Sequence, residues 1–335
     1  MKKYLIVYHQ EDNDGVFSAA IIKHYLMTSL NVSKDEIELL PATYNSLNKL
    51  QANGTVENWS NEYNHIIITD ISFNDWKVMK WLSKTFGENF TWIDHHAPII
   101  NISIKEGFDN VNGIRDSANS AIWNAYKYLY DPFMEKQFPF VVKMLSAWDS
   151  WTYEREGIET EWCRAFNKGF TICSELSVAW YIERINMFLG NHTYDGEGYI
   201  KSIEKIGREA CEREDNANKE LIRTNGDKEW TVNGIPAIMV VTTGGTNSLM
   251  FKSLQLENHT ETDLRVAAVF KHCSDGNWTL SLYNIYDLKG DTSNPMYFHC
   301  GKYLQEKYNG GGHEGAAGCT ITVDKFCKML KSKTI

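Results

Sequence analysis

Along the first half of the chain, short apolar runs stop abruptly at an aspartate or a histidine. Lys3-Tyr4-Leu5-Ile6-Val7-Tyr8 runs into His9, then Asp12, Asp14 and Gly15. His65-Ile66-Ile67-Ile68-Thr69 runs into Asp70, and Phe90-Thr91-Trp92-Ile93 into Asp94-His95-His96. Runs this short, rich in β-branched and aromatic residues, read as strands. Between them the apolar positions take helical spacing, as with Val16, Ala19, Ala20 and Ile22 in a helix over about 14–28. A short strand near 36–40 and helices near 45–52 and 74–86 complete the pattern. Strands separated by helical spacers predict a parallel sheet with right-handed crossovers. Ligands of such sheets bind beyond the carboxyl ends of the strands, and His9, Asp70 and His95 are placed at such ends.

From about 117 to 190 the pattern is mostly helical, and the apolar segment Phe140 to Trp148 finishes at Asp149. Residues 197–223 read as one long polar helix, an interdomain connector with Ile203, Ile206, Ala210, Ala217 and Leu221 on its packing side. Beyond it, Trp230-Thr231-Val232, Ile235 to Thr242, Leu264 to Phe270 and Trp278 to Tyr283 read as strands, with Ser274-Asp275-Gly276-Asn277 as a turn. Helices near 247–256 and 296–307 make this second module α+β. The expected organisation is an α/β domain over 1–190, a linker helix over 191–225 and a smaller α+β domain over 226–335.

Composition narrows the function classes. A chain of 335 residues, 43% hydrophobic and 23% charged, has material for two domains and a substantial core. No apolar stretch approaches the roughly 20 residues of a membrane helix, and no signal peptide is visible. The seven cysteines avoid the first 162 residues and show no zinc or redox spacing, which favours reduced thiols and a cytoplasmic location. The net charge of −9 argues against a long basic track for nucleic acid. Two divalent cations at Asp12, Asp14, Asp70 and Asp149 would cancel part of that charge, which suits a small phosphorylated substrate.

Each candidate ligand has an ordinary alternative. Asp12 or Asp14 serves equally as a helix N-cap, and His9 as a satisfied core histidine. The convergence of His9, Asp12, Asp14, Asp70, Asp94-His95-His96 and Asp149 on segment ends favours one polynuclear metal site. Carboxylates and imidazoles suit a hard to borderline ion, with Mn²⁺ favoured. Two such ions lie about 3.5–4 Å apart and need a bridging carboxylate, for which Asp70, alone on its strand end, is the natural choice. A second constellation is Gly310-Gly311-Gly312-His313-Glu314-Gly315-Ala316-Ala317-Gly318. Consecutive glycines let backbone N–H groups converge on an anion, and His313 is placed to donate to phosphate. A flexible loop is the plainer alternative.

Together these motifs resemble the DHH–DHHA1 phosphoesterase family of the RecJ superfamily, to which nanoRNases and cyclic-dinucleotide phosphodiesterases belong. His9…Asp14-Gly15, Thr69-Asp70-Ile71-Ser72, Asp94-His95-His96 and Asp149 resemble four motifs of its DHH domain, and Gly310-Gly311-Gly312-His313…Ala316-Ala317-Gly318 its DHHA1 signature. The resemblance implies a DHH domain whose parallel sheet is flanked by helices, a linker helix and a DHHA1 domain closing over a cleft. It implies that His9, Asp12 and Asp70 hold one Mn²⁺ and Asp14, Asp70, His95 and Asp149 the other, with Mg²⁺ or Co²⁺ as substitutes. Asp70, His95, His96 and Asp94 would form the catalytic group, His96 facing the substrate phosphate and Asp94 orienting the imidazoles. Arg115, Gly310, Gly311, Gly312 and His313 would join His96 in binding substrate, a surface salt bridge being the alternative for Arg115. Two departures stand out: the His9–Asp12 spacing, which leaves Glu11 as a competitor of Asp12, and Ser281-Leu282-Tyr283-Asn284 where the family carries an arginine. Trp148 and Trp151 flank Asp149, placed to shape the pocket.

The activity so implied is hydrolysis of short oligonucleotides or of linear or cyclic dinucleotides by two-metal activated water. The alternatives are a phosphatase of the 3′-phosphoadenosine 5′-phosphate type, a RecJ-like single-strand exonuclease, and a catalytically inactive nucleotide-binding regulator. A homodimer is left open.

Overall fold

The computed structural model describes residues 3–130, 138–190, 194–243, 248–251, 264–273, 276–285, 298–312 and 314–335. The chain divides into two compact units, Met1–Cys211 and Glu212–Ile335. Among the described residues, no helix is long and apolar enough to cross a membrane.

The first unit is built on four parallel strands, β1 (Tyr4–His9), β2 (Ile37–Ala42), β3 (His65–Thr69) and β4 (Phe90–Ile93), in the order β2-β1-β3-β4. Tyr4 pairs in register with both Ile37 and His65, and Ile66 with Phe90. Alternation along β1 supplies both cores. Tyr4, Ile6 and Tyr8 pack on one face against α1 (Asn13–Thr28), α6 (Ala121–Tyr130), α7 (Phe140–Asp149), α8 (Thr160–Ser174) and α9 (Val178–Leu189). Leu5 and Val7 pack on the other against α2 (Tyr44–Ala52), α3 (Thr55–Glu62), α4 (Trp76–Phe86) and α5 (Ala97–Glu106). Burial on both faces explains why the strands read as continuous apolar runs. Helices α3 and α5 escape the sequence reading: α3 buries only Val56 and Trp59, and α5 opens on Ala97-Pro98 directly after His96.

A 32-residue helix, α10 (Tyr194–Asn225), spans the division between the units. Its packing differs from expectation. Ile203 and Ala210 are buried, but Ile206 is 40% exposed and Ala217 also faces solvent. The contact between them is Gly207, where an added Cβ would lie 1.8 Å from the Ala165 carbonyl oxygen on α8. Close approach of two helix backbones, rather than an apolar side chain, fixes this face.

The second unit is a six-stranded sheet in the order β5-β6-β7-β8-β10-β9. Its strands are β5 (Asp227–Val232), β6 (Ile235–Thr242), β7 (Val266–His272), β8 (Trp278–Asn284), β9 (Gly311–Gly312) and β10 (Ala316–Ile321). Only β6 and β7 run parallel. Trp230, Phe270, Leu280, Leu282 and Phe326 form one core, and Ile238, Val240, Val269 and Tyr283 the other. The helix expected near 296–307 is Cys300–Tyr308, and a last helix covers Val323–Ser332. Of the helix expected near 247–256, Ser248–Phe251 form a 3-10 turn. Residues 252–256, like Ser274 and Asp275 of the expected turn, lie outside the described residues.

Candidate metal centre

At the end of β1 the chain must turn at once into α1. Asp12 caps that helix: its Oδ1 accepts from the Gly15 N–H at 2.9 Å, and its Oδ2 lies 2.9 Å from His9 Nδ1. Both readings of Asp12, cap and ligand, are thus served by separate oxygens. Gly15 is needed for close approach, because a Cβ there would meet the His9 carbonyl oxygen at 2.1 Å. Asp14, 2% exposed, accepts from the Ala121 and Ile122 N–H groups at 2.7 and 2.8 Å. These donors open α6, where the positive end of the helix dipole favours a carboxylate.

Asp70 follows β3, is 2% exposed and sits at φ +57°. That left-handed conformation is strained for a residue with a Cβ and concentrates at functional sites. Its Oδ2 is 3.5 Å from His9 Nδ1 and its Oδ1 is 3.2 Å from His95 Nε2. His95 Nε2 is also 3.4 Å from Asp149 Oδ2, at the last residue of α7, and 3.6 Å from Asp14 Oδ2. Three groups result whose ligand atoms lie within 4.8 Å of one another: His9, Asp12 and Asp70; Asp70, His95 and His96; Asp14, His95 and Asp149. Glu11 is outside these groups. It is 63% exposed at its side chain and lies 3.4 Å from His9 Nε2, on the far side of the ring from Asp12.

Asp94 is fully buried. Its Oδ1 accepts from the His95 N–H, the His96 N–H and His96 Nδ1 at 2.7, 3.1 and 2.7 Å, and its Oδ2 from Trp92 Nε1 at 3.0 Å. It fixes the turn and the His96 ring, leaving His96 Nε2 as that ring's outward atom. Tyr44, which escapes the sequence reading, also borders the centre. Its ring centroid is 6.1 Å from that of His9 and 6.4 Å from that of His96. Its position just beyond the carboxyl end of β2 is the signal that would have found it.

The protonation of this cluster follows from crowding. Burial, and then the neighbouring Asp14, hold the carboxyls of Asp70 and Asp149 well above the ordinary carboxylate range. Burial opposes charge on His9, but the Asp12 carboxylate hydrogen-bonded to it and the nearby Asp70 outweigh it and push the imidazole up to about 11. His95 and His96 are raised as well, against burial, by Asp14 and by Asp94 respectively. Asp70 Oδ2 and Asp149 Oδ2 are buried and accept no hydrogen bond among the described residues. Buried oxygens of this kind carry a desolvation cost that a cation removes. The donor set and these two oxygens therefore fit a bound divalent cation.

Arg115 and the glycine-rich segment are held by backbone contacts. The Arg115 guanidinium donates to four backbone carbonyls, those of Trp92, Asn112, Asp109 and Val111, and lies 5.5 Å from the centroid of the Trp92 ring. Both terminal nitrogens are engaged in bracing the 109–115 segment beside β4. In the glycine-rich segment, the Gly310 N–H donates to Leu304 O at 3.0 Å, and Gly311-Gly312 pair with Ala317-Gly318 of β10. Gly312 has φ +143°, and a Cβ there would lie 2.5 Å from Ala317 Cα. Close packing accounts for glycine at Gly310 and Gly312. His313 lies outside the described residues.

No family model matches this chain, and no curated protein matches it. Solved structures do. A DHH-domain protein described as a member of the s1p family of ribosomal proteins matches with a TM-score of 0.57 at 13% identity, over 99% of this chain and 85% of that one. A pGpG-specific phosphodiesterase from Vibrio cholerae matches at 0.47 and 15% identity, over 99% and 97%. The exonuclease RecJ bound to manganese matches at 0.47 and 13%, over 99% and 89%. At these identities the likeness speaks for the fold, and the first of the three places this chain in the DHH-type fold.

Proposed function

We propose that this protein is a divalent-cation-dependent phosphoesterase of the DHH type, hydrolysing short oligonucleotides or linear or cyclic dinucleotides. The observation that carries the reading is Asp70, a buried and backbone-strained carboxylate whose two oxygens point to different histidines, His9 and His95. One oxygen toward each of two ligand groups is what a bridge between two cations requires. His9, Asp12 and Asp70 would hold one, and Asp14, Asp70, His95 and Asp149 the other. Oxygen and imidazole donors favour Mn²⁺ over a thiolate-seeking metal. A divalent cation supplies charge neutralisation at phosphate and lowers the pKa of water.

The chain's own groups do the rest. Hydrolysis forms a bond from water oxygen to phosphorus, breaks the phosphorus–ester bond, and needs a proton on the departing oxygen. His96 suits that task. The Asp94 carboxylate holds its Nδ1 and favours the imidazolium, so that Nε2–H is presented as a donor to the phosphoryl or leaving oxygen. Asp94 acts by positioning that ring and not by touching substrate. The net charge of −9 keeps the preference on short substrates. In the second unit, His313 remains our candidate for phosphate capture.

The direct test is release of mononucleotide from a dinucleotide, with and without Mn²⁺. Cation-dependent release that is lost in Asp70→Asn is expected. Equal release by wild type and Asp70→Asn would reject the reading.

A further inference from the structure

Beyond Asp149 the chain leaves α7 through a Schellman motif. The Thr152 N–H donates to Ala147 O at 3.0 Å and the Trp151 N–H to Trp148 O at 3.4 Å. The left-handed position of this motif is usually glycine, because any Cβ is disfavoured there. Here it holds the largest side chain available: Trp151, at φ +57°. The residue is also 62% exposed, whereas Trp59, Trp92 and Trp230 are buried at 3%, 0% and 1%. Exposing an indole and straining its backbone both act against stability. A residue that does both two positions from a carboxylate of the metal centre is a candidate for function.

The surroundings specify the orientation of the ring. Trp151 lies roughly parallel to Trp148, at 16° with centroids 6.5 Å apart, and tilted to Tyr153 at 6.4 Å. Trp148 and Tyr153 are themselves stacked at 6.0 Å. Thr152 Oγ1, donating to Glu156 Oε1 at 2.9 Å, anchors the turn below. A three-ring cluster thus sets the orientation of a largely exposed indole two residues along the chain from Asp149. An aromatic plane next to a phosphate site takes a nucleobase, since every base has a π-face.

We infer that Trp151 is a stacking platform for a nucleobase flanking the scissile phosphate, and that it makes the enzyme select nucleotides over phosphodiesters that lack a base. The inference rests on the phosphoesterase reading and extends it to the substrate's base. Stacking of this kind tolerates any base, so the site selects for the presence of a base rather than for its identity.

The test compares wild type, Trp151→Gly and Trp151→Phe. For each, kcat/KM is measured in Mn²⁺ on a dinucleotide and on its abasic counterpart, together with the melting temperature. In Trp151→Gly the ratio of the two kcat/KM values should fall by about 5- to 150-fold, the range expected for one stacked base. Trp151→Phe should retain most of the ratio. Trp151→Gly should melt no lower than wild type, because glycine suits the left-handed position. An unchanged ratio, or a loss accompanied by a marked drop in melting temperature, would overturn the inference. Tryptophan emission during titration with a mononucleoside monophosphate gives a reading independent of turnover. Quenching in wild type that weakens in Trp151→Gly supports the platform even where hydrolysis is absent, in which case the phosphoesterase reading alone fails. Equal quenching in both overturns the platform.

Discussion

The carboxyl ends of the first sheet and the glycine-rich hairpin of the second unit both stand out in the sequence as candidate chemistry, and they differ in how far the fold satisfies their polar groups. Around Asp70 and Asp149, buried oxygens outnumber their hydrogen-bond donors. Around Gly310–Gly312, the backbone is paired and two of the three glycines touch their neighbours. Polar groups that a fold buries without satisfying mark a place for a ligand. Glycines mark that place only when packing has not already used them.

The largest effect that sharpens this contrast is expected at His95, which belongs to two of the three ligand groups. In His95→Ala, turnover should fall by roughly a thousandfold, equivalent to the several kcal/mol of charge stabilisation that a cation supplies. His313→Ala should instead weaken substrate capture and leave cation binding intact. Steady-state kinetics beside a Mn²⁺ titration would check both, and a cation affinity lost in His313→Ala but kept in His95→Ala would reverse the assignment of roles.

A smaller effect is the pH dependence of the metal-free protein. His9 titrates near 11 when folded and about 6.5 when unfolded. Its contribution to stability is fully present below about 6.5 and is lost as the pH rises through about 11. Asp70 and Asp149, with raised pKa values, hold protons in the folded state that the unfolded chain releases, so they too oppose folding as pH rises. The melting temperature in chelator should therefore fall as pH rises above about 6.5. The increment given by Mn²⁺ should grow over the same interval, since the cation replaces protons. Melting curves in chelator that shift upward from pH 6.5 to 9 would contradict the arrangement of charges described.

The smallest effects separate the glycines. Gly312→Ala forces a Cβ within 2.5 Å of Ala317 Cα at a positive φ. It should cost about 1–3 kcal/mol. Gly311 has nothing within 4 Å of its missing Cβ, so Gly311→Ala should stay within about 0.5 kcal/mol of wild type. Denaturant unfolding would measure both, and equal costs would show that the hairpin is not packed as described.

Much of this was legible in the sequence, for reasons that differ by region. β1, β3 and β4 are buried on both faces, so their apolar runs and the polar residues ending them stand out. The clustering of His9, Asp12, Asp14, Asp70, His95 and Asp149 could be read because each sits at a break in hydrophobicity. Contacts made by backbone could not. Arg115 looks like a free cation in sequence, yet it is spent on carbonyls, and Gly207 carries a helix contact that periodicity assigned to Ile206. Trp151 was visible only as a neighbour of Asp149, since a left-handed φ leaves no trace in composition.

The central claim is that Asp70 joins two cation sites. Calorimetric titration of Mn²⁺ into the metal-free protein tests it most directly, run in parallel on wild type and Asp70→Ala. Two equivalents per wild-type chain are expected, with both sites weakened or lost in the variant and proton release accompanying each binding event. A wild-type chain that takes up no Mn²⁺, or an Asp70→Ala chain that binds two equivalents with unchanged affinity, would contradict it.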